Sequence, residues 1–385
     1  MYQSMATKMQ DYTNYIILFA ILIGVGFLYN RYKNKSQRET STENYNAIRK
    51  YLLNDVDDEV MEGKLKKPIM WIHIDYEYNA RNWLSFGSRS SLELNQPYLY
   101  LTANSIINHC EKDFHICFID DDAFYKLLPK WNVDMKKISG IVKDNMRNLA
   151  MTKLLYTYGG FRVPLSFVCM RNLISLYKSG TNRESAFICE LVDRNITSTE
   201  FNFYPSIAFM GANKGCIVLN DMADFMQRTI SKDYTDQSKF LGDFDRWCNT
   251  RVQRGQLKLV EGKLVGTKTM EDEQIIIDDL LSNDYIDLYS NAYGIYIPAN
   301  EVLKRRNYEW FSRMSPDQVL ESNIIISKYI LLANAPDSPN GVIEPMKKKE
   351  DWVSFWRVPS GAPVWGMKPN DLGNNVPKEK YPGQQ

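Results

Sequence analysis

The chain has 385 residues, 44% hydrophobic, 24% charged and 13% aromatic, ordinary globular proportions for one large domain or two small ones. Its formal net charge of +1 excludes a global field that would gather nucleic acid or an acidic surface. Six cysteines (Cys110, Cys117, Cys169, Cys189, Cys216, Cys248) fall in apolar stretches with no Cys-x-x-Cys pair, the pattern of buried free thiols in a reducing environment.

The first element lies in residues 1–30. "YIILFAILIGVGFLY" (15–29) carries no charge, and the apolar run over 12–30 nears the roughly 20 residues that cross a bilayer's hydrocarbon core. No small-x-small cleavage site follows, so the expectation is a retained single-pass anchor. Lys8 precedes the span and Asp11 offsets it, whereas Arg31, Lys33, Lys35 and Arg38 follow. The basic flank predicts a main domain on the cytosolic side. The sequons at Asn34 and Asn195 are then chance matches.

Residues 31–65 read as a polar stalk, and an α/β domain is expected over 66–335. "KKPIMWIHI" (66–74) and "FHICFI" (114–119) read as strands, with a helix in "PYLYLTANSIINHC" between them. After "DDD", "AFYKLLPKW" (123–131) reads as a helix, and "MRNLAMTKLLYTY" (146–158) as another. Gly159 suits the left-handed conformation that caps a helix C-terminus. "FRVPLSFVCM" resumes as a strand, with Pro164 marking an edge or a local break. Strands "SAFICELV" and "PSIAFMGA" and the helix "CIVLNDMADFMQRTI" continue the alternation, which predicts a mainly parallel sheet. Residues 336–385 hold eight prolines interleaved with Trp352, Phe355, Trp356 and Trp365. They read as an extended arm whose aromatics anchor it on the domain or on a partner.

Several clusters could carry chemistry. Asp120 and Asp122 follow an apolar strand, where two carboxylates one residue apart can share Mg²⁺ or Mn²⁺ and its nucleotide phosphates. The same turn can equally cap the following helix. His73 ends the first strand, as a ligand-binding residue or a satisfied core histidine. Arg81, Arg89 and the serines between them and around them could hold phosphate or simply fix a loop. No P-loop and no Gly-x-Ser-x-Gly elbow is present.

"KKPIMWIH", "HICFIDDDAFYKLLP" and above all "LLYTYGG" (154–160) resemble sugar transferases of the capsular-polysaccharide and initiating-mannosyl type. The resemblance spans about residues 66–220 and implies a Rossmann-like nucleotide-sugar transferase fold of GT-A type. It implies an Asp-x-Asp after Gly-Gly that holds the metal and the donor diphosphate. Here those positions hold Pro164 and Ser166, and the helix Asp and Arg of the family fall on Asn148 and Met151. Proline offers no ligand atom and serine is a poor ligand for a hard cation. "WIHIDYEYNARNWLSFGSRSS" and "KLLYTYGGFRVPLSF" also resemble membrane-anchored proteins of large DNA viruses.

The expectation is therefore a degenerate transferase fold, non-catalytic, without cofactor or metal. It would be anchored through residues 12–30 and hold a partner such as a viral capsid layer against the bilayer. The alternative is an active glycosyltransferase using a nucleotide sugar with Mn²⁺ or Mg²⁺. In it Asp120 and Asp122 hold the metal, and His73 and Arg89 sit near the donor.

Overall fold

The computed structural model describes residues 67–74, 96–138, 140–182, 186–191, 205–231 and 242–335. All lie in the second of the chain's two units, Tyr51–Gln385. The predicted anchor, the stalk up to residue 65, the loop around Arg89 and the proline- and tryptophan-rich arm lie outside the described residues. Among the described residues, no helix is long and apolar enough to cross a membrane.

The described body is a mixed α/β structure, as a Rossmann-like fold requires. Its strands are β1 (Ile69–His73), β2 (His115–Ile119), β3 (Gly160–Arg162), β4 (Phe167–Cys169), β5 (Ala186–Glu190), β6 (Pro205–Ala212), β7 (Lys258–Val260) and β8 (Gly294–Tyr296). Six of them form one sheet in the order β2-β1-β3-β6-β5-β7. The pairs β1–β2, β1–β3 and β5–β7 are parallel, while β6 runs antiparallel to both β3 and β5. The sheet is thus mainly parallel, as expected, with β6 alone reversed, a strand direction that the alternation did not indicate. Alternation of strand and helix predicts layers; it does not fix the direction in which a strand enters the sheet.

The helices before β6 are α1 (Tyr98–Cys110), α2 (Ala123–Leu127), α3 (Gly140–Tyr158) and α4 (Ile174–Gly180). After it come α5 (Ile217–Ile230), α6 (Asp243–Gln253), α7 (Ile277–Leu281), α8 (Ala299–Lys304), α9 (Glu309–Ser312), α10 (Pro316–Glu321) and α11 (Ile325–Ala333). Trp71, Cys117 and Ile119 on one face of the sheet share a core with Leu149, Ala150 and Leu154 of α3 and Leu219, Met222 and Met226 of α5. Helix α1 packs instead against β4, α10 and α11.

Three boundaries differ from expectation. Helix α2 stops at Leu127, short of the expected 131. Helix α3 begins at Gly140, six residues earlier than the apolar pattern indicated, because the adjacent Ile141 and Val142 are followed by the polar run 143–145 and leave no apolar periodicity to read. The expected strand over 161–170 is two strands. Val163 N still donates to Trp71 O (3.1 Å), but Pro164 has no N–H with which to continue the ladder. The chain turns, with Phe167 N donating to Pro164 O (3.1 Å), and β4 leaves to pair antiparallel with β8.

The Gly-Gly pair between α3 and β3 has a steric cause. Gly159 has φ 73° and its N–H donates to Leu155 O (2.9 Å), the left-handed cap expected. Gly160 has φ 109°, and a Cβ there would lie 2.3 Å from Ile69 O. The Trp71 indole Nε1 donates to Gly159 O (2.9 Å), so the turn is seated directly on β1. At the far side of the sheet, buried Glu190 fastens residues 262–268: its Oε2 accepts from Gly262 N (2.9 Å) and its Oε1 lies 2.6 Å from Lys268 Nζ.

Candidate functional site

Strand β2 lies on one side of β1 and β3 on the other, so the strand order reverses between β1 and β3. Ligands of open α/β sheets bind outside the carboxyl ends of strands at such a reversal. The carboxyl ends here are His73 of β1, the Asp120–Asp122 turn after β2, and Arg162 of β3. Trp71 and Arg162 are register partners, which puts Arg162 and His73 on the same face as Trp71, under α3.

The three consecutive aspartates have three different environments. Asp120 Oδ1 accepts from Ala123 N (2.9 Å), holding the first turn of α2. Asp122 is 64% exposed and its carboxylate meets Lys136 Nζ at 3.1 Å. Only Asp121 turns toward the carboxyl end of β1. Its Oδ1 accepts from His73 Nε2 (3.0 Å) and Arg147 Nε (2.8 Å). Its Oδ2 accepts from Arg147 Nη2 (2.7 Å) and lies 3.3 Å from Lys143 Nζ. Because an ionised carboxylate only accepts, His73 must carry its proton on Nε2 in this contact. The imidazole ring stacks on Phe124 at 5.5 Å. Burial alone would push the Asp121 carboxyl upward. The hydrogen bonds and charges of His73 and Arg147 outweigh it and hold the group far below the usual carboxylate range.

Arg162 is differently placed. Its Nη2 donates to Asn148 Oδ1 (2.9 Å), whereas its Nη1 is sealed from solvent with no hydrogen-bond partner. Burial pulls the guanidinium down to about 10, offset in part by Tyr296. No carboxylate among the described residues forms an ion pair with it.

Both metal alignments have definite places in the fold. In the Gly-Gly alignment, Pro164 accepts the turn hydrogen bond from Phe167, and buried Ser166 donates its hydroxyl to Ile297 O (2.6 Å). Asn148 holds Arg162, and Met151 is fully buried in the core. In the Asp-Asp-Asp alignment, Asp120 and Asp122 are engaged as above, and Arg89 lies outside the described residues. Among the described residues, no group of three or more His, Cys, Asp or Glu side chains is arranged to hold a metal ion.

Of the residues singled out from the sequence, the structure brings His73 beside the aspartate turn. Of the three aspartates it is the middle one, Asp121, that meets His73, and the structure adds Lys143, Arg147 and Arg162, which sequence reasoning did not pick out. The i,i+4 pair Lys143/Arg147 is a legible one-face spacing once α3 is known to start at 140.

No family model matches the chain, and no curated protein matches it. Among solved structures it is similar to one titled PaToxG Glycosyltransferase, with 10% identity and a TM-score of 0.28, over 55% of this chain and 78% of that one. This is a weak, partial likeness to a glycosyltransferase.

Proposed function

We propose that this chain is a transferase-like α/β body that does not carry out metal-dependent sugar transfer. Its role is structural: anchored in a membrane through residues 12–30, it holds a partner protein against the bilayer through its C-terminal arm. A minor capsid or membrane-linking protein of a large DNA virus would have this organisation. One observation carries the loss of metal chemistry. The Gly-Gly alignment offers a metal no free ligand atom, and in the Asp-Asp-Asp alignment one oxygen of Asp120 is committed to α2 while Asp122 faces outward to Lys136. Asp120 caps α2, Asp122 meets Lys136, Ser166 is bonded to Ile297 O, and Pro164 has nothing to offer a cation. Without a cation, the charge that develops on a departing nucleoside diphosphate has no counter-charge from these residues.

The deciding experiment is calorimetric titration of the full-length chain in detergent with UDP- and GDP-sugars and Mn²⁺. The expected result is no Mn²⁺-dependent heat. Mn²⁺-dependent binding that vanishes in the double variant Asp120→Ala/Asp122→Ala would overturn the proposal and establish the working transferase instead.

A further inference from the structure

A buried cation normally has a counter-ion, because desolvation of an unpaired charge costs far more than that of a paired one. Arg147 obeys this rule, with a two-point contact to Asp121 and a second carboxylate, Asp144, at 3.6 Å. Arg162 does not. It stands at the carboxyl end of β3, at the strand-order reversal, held by a neutral amide on one side and with Nη1 unmatched. A guanidinium is a planar fork suited to two oxygens of a phosphate group. The neighbouring acid offers no substitute partner, since Asp121 is engaged by His73, Lys143 and Arg147.

We propose that the β1–β3 reversal is a metal-free oxyanion site, in which Arg162, oriented by Asn148, takes the phosphate group of a phosphorylated ligand that displaces the groups now sealing its Nη1. The site goes beyond the structural role above and uses neither Asp120 nor Asp122. Its test is run in EDTA, so its failure is distinct from the appearance of Mn²⁺-dependent binding.

Thermal unfolding of the full-length chain is followed with inorganic pyrophosphate, UDP and GDP, each in EDTA. The expected result is a rise in Tm with at least one of the three. Pyrophosphate alone sufficing identifies the phosphate as the whole recognition element; a requirement for UDP or GDP adds a nucleoside to it. In Arg162→Met the apparent affinity falls by about thirtyfold or more, the scale for removing one partner of a desolvated charge contact. The ligand-free Tm of that variant stays equal to or above wild type, because a half-buried guanidinium without a counter-charge has been removed. Asn148→Asp supplies the missing carboxylate from within, so it raises the ligand-free Tm and weakens the anion effect. No shift with any probe, a shift that survives Arg162→Met, or a fall in ligand-free Tm in both variants would overturn the proposal.

Discussion

Three adjacent aspartates with the same chemistry should respond very differently to removal. Asp121 is only 18% exposed and faces three basic side chains, one of them Arg147 at 8% exposure. Asp121→Asn is expected to cost about 3 kcal/mol, since it leaves buried cations without their counter-ion. Asp120→Ala should cost about 1 kcal/mol, the usual value of a lost helix-end acceptor. Asp122→Ala should leave stability unchanged, because its contact with Lys136 is solvent-exposed. Urea denaturation of the three variants checks the order, and an equal loss in all three would refute the environments described. The pH dependence follows from the sign of the Asp121 shift. Its folded-state affinity for a proton is lowered, so its contribution is complete above the unfolded value of about 4 and is lost as pH falls below it. The stability gap between wild type and Asp121→Asn should therefore narrow as pH falls below about 4. A gap unchanged at the acid end would show that the carboxylate is not held low.

At the scale of elements, the join between α3 and β3 is tightly constrained. Gly160→Ala is expected to cost about 3 kcal/mol, as it combines a positive φ with a Cβ driven into Ile69 O. Gly255 is the control: its φ is 70°, yet nothing lies within 4 Å of an added Cβ. Gly255→Ala should cost about 1 kcal/mol, the conformational part alone. Equal losses in the two variants, by chemical denaturation, would mean that close packing at Gly160 contributes nothing. Much of this join was legible in the sequence, because glycine and proline act locally. Gly159 caps its helix as expected, and Pro164 breaks the strand as its missing N–H requires. The start of α3 was not legible. Lys143, Asp144 and Arg147 hold its first turns through charge, and an apolar period cannot report a helix face that packs by ion pairs. Arg162 was hidden for a related reason: what marks it is the absence of a partner in space, and no residue spacing encodes an absence.

Across the whole molecule, the cysteines give the cleanest link between composition and structure. All six are free and buried, as their apolar neighbours suggested. Burial pushes the thiols of Cys169, Cys189 and Cys248 well up, so little thiolate is available to react at neutral pH. Titration with a chromogenic disulfide should therefore register almost nothing in the native chain and six thiols after denaturation. Rapid native reaction of even two would contradict the packing around them. The strand directions of the sheet, by contrast, depend on pairings between distant segments and were read from the sequence only in part.

The departure of the chain from the main sheet at Pro164 has a consequence for how the protein is made. Strand β4 finds its partner in β8, so that Phe167 waits for Tyr296, and α1 and β4 are covered only when α10 and α11 arrive. A ribosome adding about 5 to 20 residues per second needs roughly ten to thirty seconds to reach the end of that later stretch. During that interval the emerging α1 and β4 stay uncovered on the side that α10, α11 and β8 will occupy. The order of synthesis thus leaves a translation-timed window in which a holding chaperone has a surface to grip.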